Sequence, residues 1–185
     1  MKRVCVFCSS NLGTEPRYAA TARELAGLLV QQGLGLVYGG AHVGLMGVIA
    51  DRVLELGGEV IGVIPATLVE REIAHRGLSR LHVVQSMHER KATMASHADA
   101  FLALPGGFGT LEELMEVVTW RQLGLHRKPI ALLNTLGYYD ALIAFIAHTI
   151  EQGLIAPIHA AALAVAPTPA AALDILRAAE RELAS

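Results

Sequence analysis

Short strand-like runs alternate with helix-like segments along the whole 185-residue chain, and this alternation restricts the fold more than any other feature. The strand-like runs are Arg3–Cys8, Leu34–Tyr38, Glu59–Ile64, His82–Val84, Ala100–Leu104, Pro129–Leu133 and Leu163–Ala166. Between them lie helix-like segments at Arg17–Gln32, Leu45–Leu56, Met87–Ser96, Thr110–Leu123 and Tyr138–Gln152. A last one runs from Thr168–Pro169, read as an N-cap followed by proline at the first helical position, to about Glu182. Residues 66–80 read as a short helix and a loop. Strands alternating with helices of this length predict a parallel sheet covered on both faces. With 53% hydrophobic residues and 5% aromatic ones, small and branched aliphatic side chains must build the core. No internal repeat, linker or low-complexity tail interrupts the pattern, so residues 1–185 read as one domain.

Several function classes are disfavoured. A net charge of −2 and only three lysines, Lys2, Lys91 and Lys128, leave no basic stripe for nucleic acid or a membrane surface. No apolar run is long enough to span a bilayer. The chain opens on a strand-like run without a signal-peptide layout, and the two cysteines make no disulfide framework, so a cytoplasmic setting is expected. Cys5 and Cys8 are spaced CxxC, but a strand points them to opposite faces, and zinc binding is not expected. His88-Glu89 lacks the second histidine of a zincin, because Ala92 stands in its place. The remaining histidines are scattered and read as surface or structural residues. Tyr138 and Tyr139 read as packing or rim residues.

In a doubly wound sheet, ligands bind at the carboxyl ends of the strands. Three glycine- or serine-rich loops fall there: Cys8–Gly13, Gly39–Gly47 and Pro105–Thr110. Glycine lets an anion approach backbone N–H groups, and a helix N-terminus adds free donors. The third loop has both features and is assigned the phosphate, with Thr110 as a hydroxyl donor. Each loop alone also has the lesser reading of a tight turn that needs glycine for its geometry. None carries the Gly-Lys-Ser/Thr of a P-loop or a clean Gly-x-Gly-x-x-Gly, which disfavours dinucleotides. Glu113 has two readings. It completes a Thr110-x-x-Glu113 capping box, or it faces the phosphate pocket, where a carboxylate holds ribose hydroxyls, orients water or stabilises a developing cation. Glu116 reads as a solvated helix face. Arg90 and Lys91, near a helix start, oppose the dipole. A bound anion offsets that penalty; a solvated basic pair is the alternative.

Pro105-Gly106-Gly107-Phe108-Gly109-Thr110-Leu111-Glu112-Glu113 resembles the PGGxGTxxE signature of the LONELY GUY (LOG) family of cytokinin riboside 5′-monophosphate phosphoribohydrolases. Met87-His88-Glu89-Arg90-Lys91-Ala92-Thr93-Met94 is similar to that family's MHxRKxxM signature. The segments Val6–Ser10, Tyr38–Gly47 and Thr119–Gly124 are similar too, and the likeness runs from about residue 4 to 155. The first loop reads Cys-Ser-Ser where many members have Cys-Gly-Ser. The resemblance implies a Rossmann-like three-layer α/β sandwich whose mostly parallel sheet has about seven strands. It implies a homodimer with sites near the interface, and hydrolysis of the base–ribose bond of a nucleotide without metal or other cofactor. By motif position, Arg90 and Glu113 match the catalytic pair, and Gly106, Gly107, Gly109 and Thr110 match the phosphate loop. Lys91, Glu112, Thr119 and Glu72 fall at nucleotide-binding positions, and Ser9, Gly40 and Met87 complete the expected substrate-binding set. Three other readings stand beside this one. They are a general AMP nucleosidase, a non-catalytic carrier of a nucleotide or molybdenum cofactor, and the amino-acid decarboxylase label attached to such families. The last would need a Schiff-base lysine for pyridoxal phosphate, and Lys91 is the only candidate.

Overall fold

The computed structural model describes residues 1–69 and 73–184. Seven strands form one sheet in the order β4-β3-β2-β1-β5-β6-β7. They are β1 Arg3–Phe7, β2 Gly35–Tyr38, β3 Val60–Pro65, β4 Arg80–Val84, β5 Ala100–Ala103, β6 Ile130–Leu133 and β7 Leu163–Ala166. Every strand pair in the sheet is parallel. The helices are α1 Pro16–Gln31, α2 Gly44–Glu55, α3 Ala66–Val69, α4 Met87–His97, α5 Phe108–Gln122, α6 Asp140–Glu151, α7 Pro157–Ala160 and α8 Pro169–Ala184.

The central strands read as uninterrupted apolar runs because both faces are covered. Alternate residues of β1 show this directly. Val4 and Val6 pack with α1, α2 and α8 on one face, while Cys5 and Phe7 pack with α4, α5 and α6 on the other. Cys8 joins the first face, so the two free thiols lie on opposite sides of the sheet, as their spacing predicts.

Side-chain caps account for three of the helix starts. Glu15 caps α1 by accepting from the Arg17 N–H at 3.1 Å, with Pro16 at the first helical position. Thr168 accepts from the Ala171 N–H at 3.3 Å ahead of Pro169. Ser86 accepts from the Glu89 N–H at 3.1 Å, and Glu89 returns a carboxylate to the Gln85 N–H at 2.7 Å. This is a capping-box arrangement, and it gives the Ser-x-x-Glu run a structural role.

Strand order reverses at β1, whose neighbours are β2 on one side and β5 on the other. The loops after β1 and β5 therefore part at a topological switch point, where such sheets form their ligand crevice. The loops after β1 and β2 are in direct contact there. Gly44 has φ +58°, and a side chain on it would strike the Ser10 backbone. No described helix is long and apolar enough to cross a membrane.

Candidate active site

A cavity of about 500 Å³ opens at the carboxyl ends of β1, β2 and β5. Ser9, Ser10 and Asn11 form one wall, Gly107 to Thr110 face them, and Arg90 and Glu113 lie between. Val43, Met46, Leu68 and Ile73 supply an apolar side.

Helix α5 starts at Phe108, two residues earlier than the sequence pattern predicts, with Gly107 as N-cap and no side-chain cap. Its first backbone hydrogen bond runs from the Leu111 N–H to the Gly107 carbonyl at 3.0 Å. The N–H groups of Phe108, Gly109 and Thr110 thus have no intrahelical acceptor, and these residues line the cavity. Free donors at the positive end of a helix make an anion site.

The earlier start also removes the capping-box reading of Glu113, which lies in the second turn. Its carboxylate instead meets the Arg90 guanidinium, Oε1 to Nη1, at 2.8 Å. Both are buried, at 7% and 8% exposure, which excludes a solvated basic pair at Arg90. Arg90 is held from two more directions. Its Nε donates to the Val63 carbonyl at 3.1 Å, and Gly39 leaves room for its guanidinium that any side chain would fill. Burial pushes the Glu113 carboxyl above its ordinary value, and the charge of Arg90 opposes that rise. The Cys8 thiol in the same cavity is pushed well up by burial and then by the charge of Glu113, so it is a poor nucleophile.

Lys91 is turned to the neighbouring helix. Its ammonium pairs with Glu112, and with Glu116 at 3.0 Å. Glu116 is therefore half-buried in an ion pair, not a solvated face. Burial lowers the Lys91 pKa, but the two carboxylates outweigh it and raise it overall. A Schiff-base lysine must shed its proton and face the substrate. Lys91 does neither, so the residues present do not fit pyridoxal phosphate.

Of the expected site residues, the structure brings Ser9, Arg90, Gly107, Gly109, Thr110 and Glu113 together around the cavity. Gly106 lines a smaller adjoining cavity of about 230 Å³. Lys91, Glu112, Thr119 and Met87 are not among the described lining residues; the Thr119 hydroxyl donates to the Met115 carbonyl at 2.7 Å, and Met87 is exposed. Gly40 packs against Ile64 and Val63, and its neighbour Gly39 lines the cavity in its place. Glu72 lies outside the described residues. The sequence reading placed Asn11, Gly39, Val43 and Met46 within the ligand loops without singling them out; Leu68 and Ile73, from outside those loops, it missed. Among the described residues, no group of three His, Cys, Asp or Glu side chains could hold a metal ion.

Residues 46–176 match the family model described as possible lysine decarboxylase. The chain is 53% identical over 156 residues to cytokinin riboside 5′-monophosphate phosphoribohydrolase LOG1 of Arabidopsis thaliana, covering 84% of this chain and 73% of that one. It is 49% identical over 175 residues to the probable cytokinin riboside 5′-monophosphate phosphoribohydrolase LOGL3 of Oryza sativa subsp. japonica, covering 95% and 83%. Among solved structures, the molybdenum cofactor carrier protein of Chlamydomonas reinhardtii shares the fold with a TM-score of 0.69, over 100% of this chain and 99% of that one. Its 21% identity makes it a likeness of fold alone.

Proposed function

Because the chain belongs to the LOG family, we propose that it hydrolyses the N-glycosidic bond of cytokinin riboside 5′-monophosphates (N6-substituted AMP) or of AMP, releasing free base and ribose 5-phosphate. The observation that carries this reading is the buried Arg90–Glu113 pair one turn beyond the open N-terminus of α5, within one cavity. Phe108 and Glu113 are five residues apart, about 7.5 Å along the helix axis. A ribose fits between a 5′-phosphate on the helix N-terminus and the carboxylate.

Cleavage breaks the bond between C1′ and the base nitrogen, which takes the electron pair and ends protonated. Water supplies the hydroxyl that bonds to C1′. Positive charge builds on the sugar as the base departs, as in other glycoside hydrolyses. Ionised Glu113 stabilises that charge and positions the water as its general base. Arg90 opposes the rise that burial imposes on the Glu113 carboxyl, favouring its ionised form, and orients it. The phosphate supplies remote binding energy that holds the sugar in place, so the nucleotide reacts and the nucleoside does not. The side formed by Val43, Met46, Leu68 and Ile73 favours an apolar group on the base.

Incubating the protein with AMP and with N6-isopentenyl-AMP, and measuring free base by chromatography, tests this reading. Base release from either supports it, and the ratio of rates names the substrate. Binding without turnover overturns it in favour of a carrier.

The same reading includes a homodimer with sites near the interface. Phe108 at the cavity lip is 94% exposed, and Leu123 and Leu125 beyond the far end of α5 are 66% and 70% exposed, which supports apolar contact with a second copy. Light scattering should return twice the chain mass; a monomer at working concentrations would count against it. Two unpaired thiols fit a cytoplasmic setting.

A further inference from the structure

The chain bends sharply between β6 and α6. Leu136 and Gly137 both have positive φ, 58° and 72°, and Leu136 is the only non-glycine residue to do so among the described ones. A leucine in the left-handed region is strained and persists only where its surroundings hold it there. Asn134 fixes the bend. It accepts from the Tyr139 N–H at 2.7 Å and donates to Asp140 at 2.7 Å.

The bend presents two adjacent tyrosines to the loop after β5. The Tyr138 hydroxyl donates to the Gly106 carbonyl at 2.8 Å, and the Tyr139 hydroxyl donates to the Leu104 carbonyl at 2.6 Å. The two rings meet edge to face at 4.8 Å, and Tyr138 meets Tyr18 in the same way at 5.6 Å. These contacts hold the Tyr138 ring where its hydroxyl reaches Gly106.

No peptide bond in the described chain is cis. In a trans peptide the C=O and N–H point in opposite directions. Tyr138 and Gly106 both line the smaller cavity, so the Gly106 carbonyl points to that side. Gly107 lines both cavities, and only the larger lacks Tyr138, so the Gly107 N–H, opposite the carbonyl that Tyr138 holds, lies on the side of the larger one.

We propose that Tyr138 is a positioning residue for phosphate recognition. By holding the Gly106–Gly107 peptide, it aims the Gly107 N–H alongside those of Phe108, Gly109 and Thr110, so that four donors converge on a 5′-phosphate. This rests on the reading that the cavity takes a nucleoside 5′-monophosphate. Tyr139 has a different part. Its hydroxyl donates to the Leu104 carbonyl and accepts from the Gly106 N–H, so it anchors the end of β5 and the Pro105–Gly106 peptide, not the Gly106–Gly107 peptide.

The test compares Tyr138→Phe with Tyr139→Phe. Calorimetry gives Kd for ribose 5-phosphate, steady-state kinetics give kcat and KM for the better nucleotide substrate, and thermal unfolding gives Tm. For Tyr138→Phe, Kd and KM should rise together by about tenfold with kcat nearly unchanged, the pattern of lost uniform binding. Its Tm should stay within about 4 °C of wild type. For Tyr139→Phe, Tm should fall further and Kd should change less. Wild-type Kd in Tyr138→Phe, or equal Kd losses in both variants that track Tm, would overturn the inference. So would a wild-type protein that does not bind ribose 5-phosphate. A wild-type protein that binds it but releases no base overturns only the catalytic reading.

Discussion

Glu113→Gln is expected to slow base release by on the order of 10³-fold or more while leaving a folded protein that still binds the nucleotide. Glutamine keeps the shape and can still accept a hydrogen bond from Arg90, but it carries no charge. A neutral amide neither balances the cation growing at C1′ nor takes a proton from water. The expected loss therefore lies in kcat, with KM changed little, because the group acts in the transition state more than in ground-state binding. Circular dichroism and calorimetric binding of ribose 5-phosphate separate this outcome from unfolding. Near-wild-type turnover in a folded Glu113→Gln protein would remove Glu113 from the mechanism.

Arg90→Met should lower kcat/KM at neutral pH by about a hundredfold, and it should also change the pH profile. Glu113 is under two opposed influences, burial raising its pKa and Arg90 restraining the rise. Without Arg90 the carboxyl takes up a proton more readily, so the acid limb of kcat/KM moves to higher pH. Stability follows the same linkage. A carboxyl whose folded pKa is raised binds its proton before the unfolded chain does, so its contribution declines as pH rises from the ordinary carboxylate value through the folded pKa. In Arg90→Met that decline should be steeper and reach higher pH. Melting temperature measured across mildly acidic to neutral pH tests this. Curves for variant and wild type that run parallel would show that Arg90 does not set the ionisation of Glu113.

The β/α alternation was legible because buried parallel strands must be apolar along their length, and β2, β5 and β6 are, as is β1 after Arg3. The glycine loops were legible for a related reason, since close backbone approach leaves no room for side chains. Four points needed the folded chain. The start of α5 was hidden because Gly107 caps it without a side chain, while Thr110 and Glu113 imitate a capping box three residues too late. The partner of Glu113 comes from α4, and only the packing of α4 beside α5 brings Arg90 to it. That same packing buries Glu116 against Lys91, a pairing no local pattern announces. Choosing Gly39 over Gly40 likewise depends on knowing where the Arg90 guanidinium ends.

The adjacent cations Arg90 and Lys91 on α4 are met by the adjacent anions Glu113 and Glu112 on α5, with Glu116 behind them. In evolutionary terms this makes the helix pair a single inherited block. A lineage that lost Lys91 would leave Glu112 and Glu116 without their shared cation, directly beside the residues proposed to do the chemistry. Loss of either glutamate would in turn weaken the hold on a buried ammonium. Substitutions at positions 90, 91, 112, 113 and 116 should therefore be accepted in concert or not at all, whereas the solvent face of α5 is free to drift.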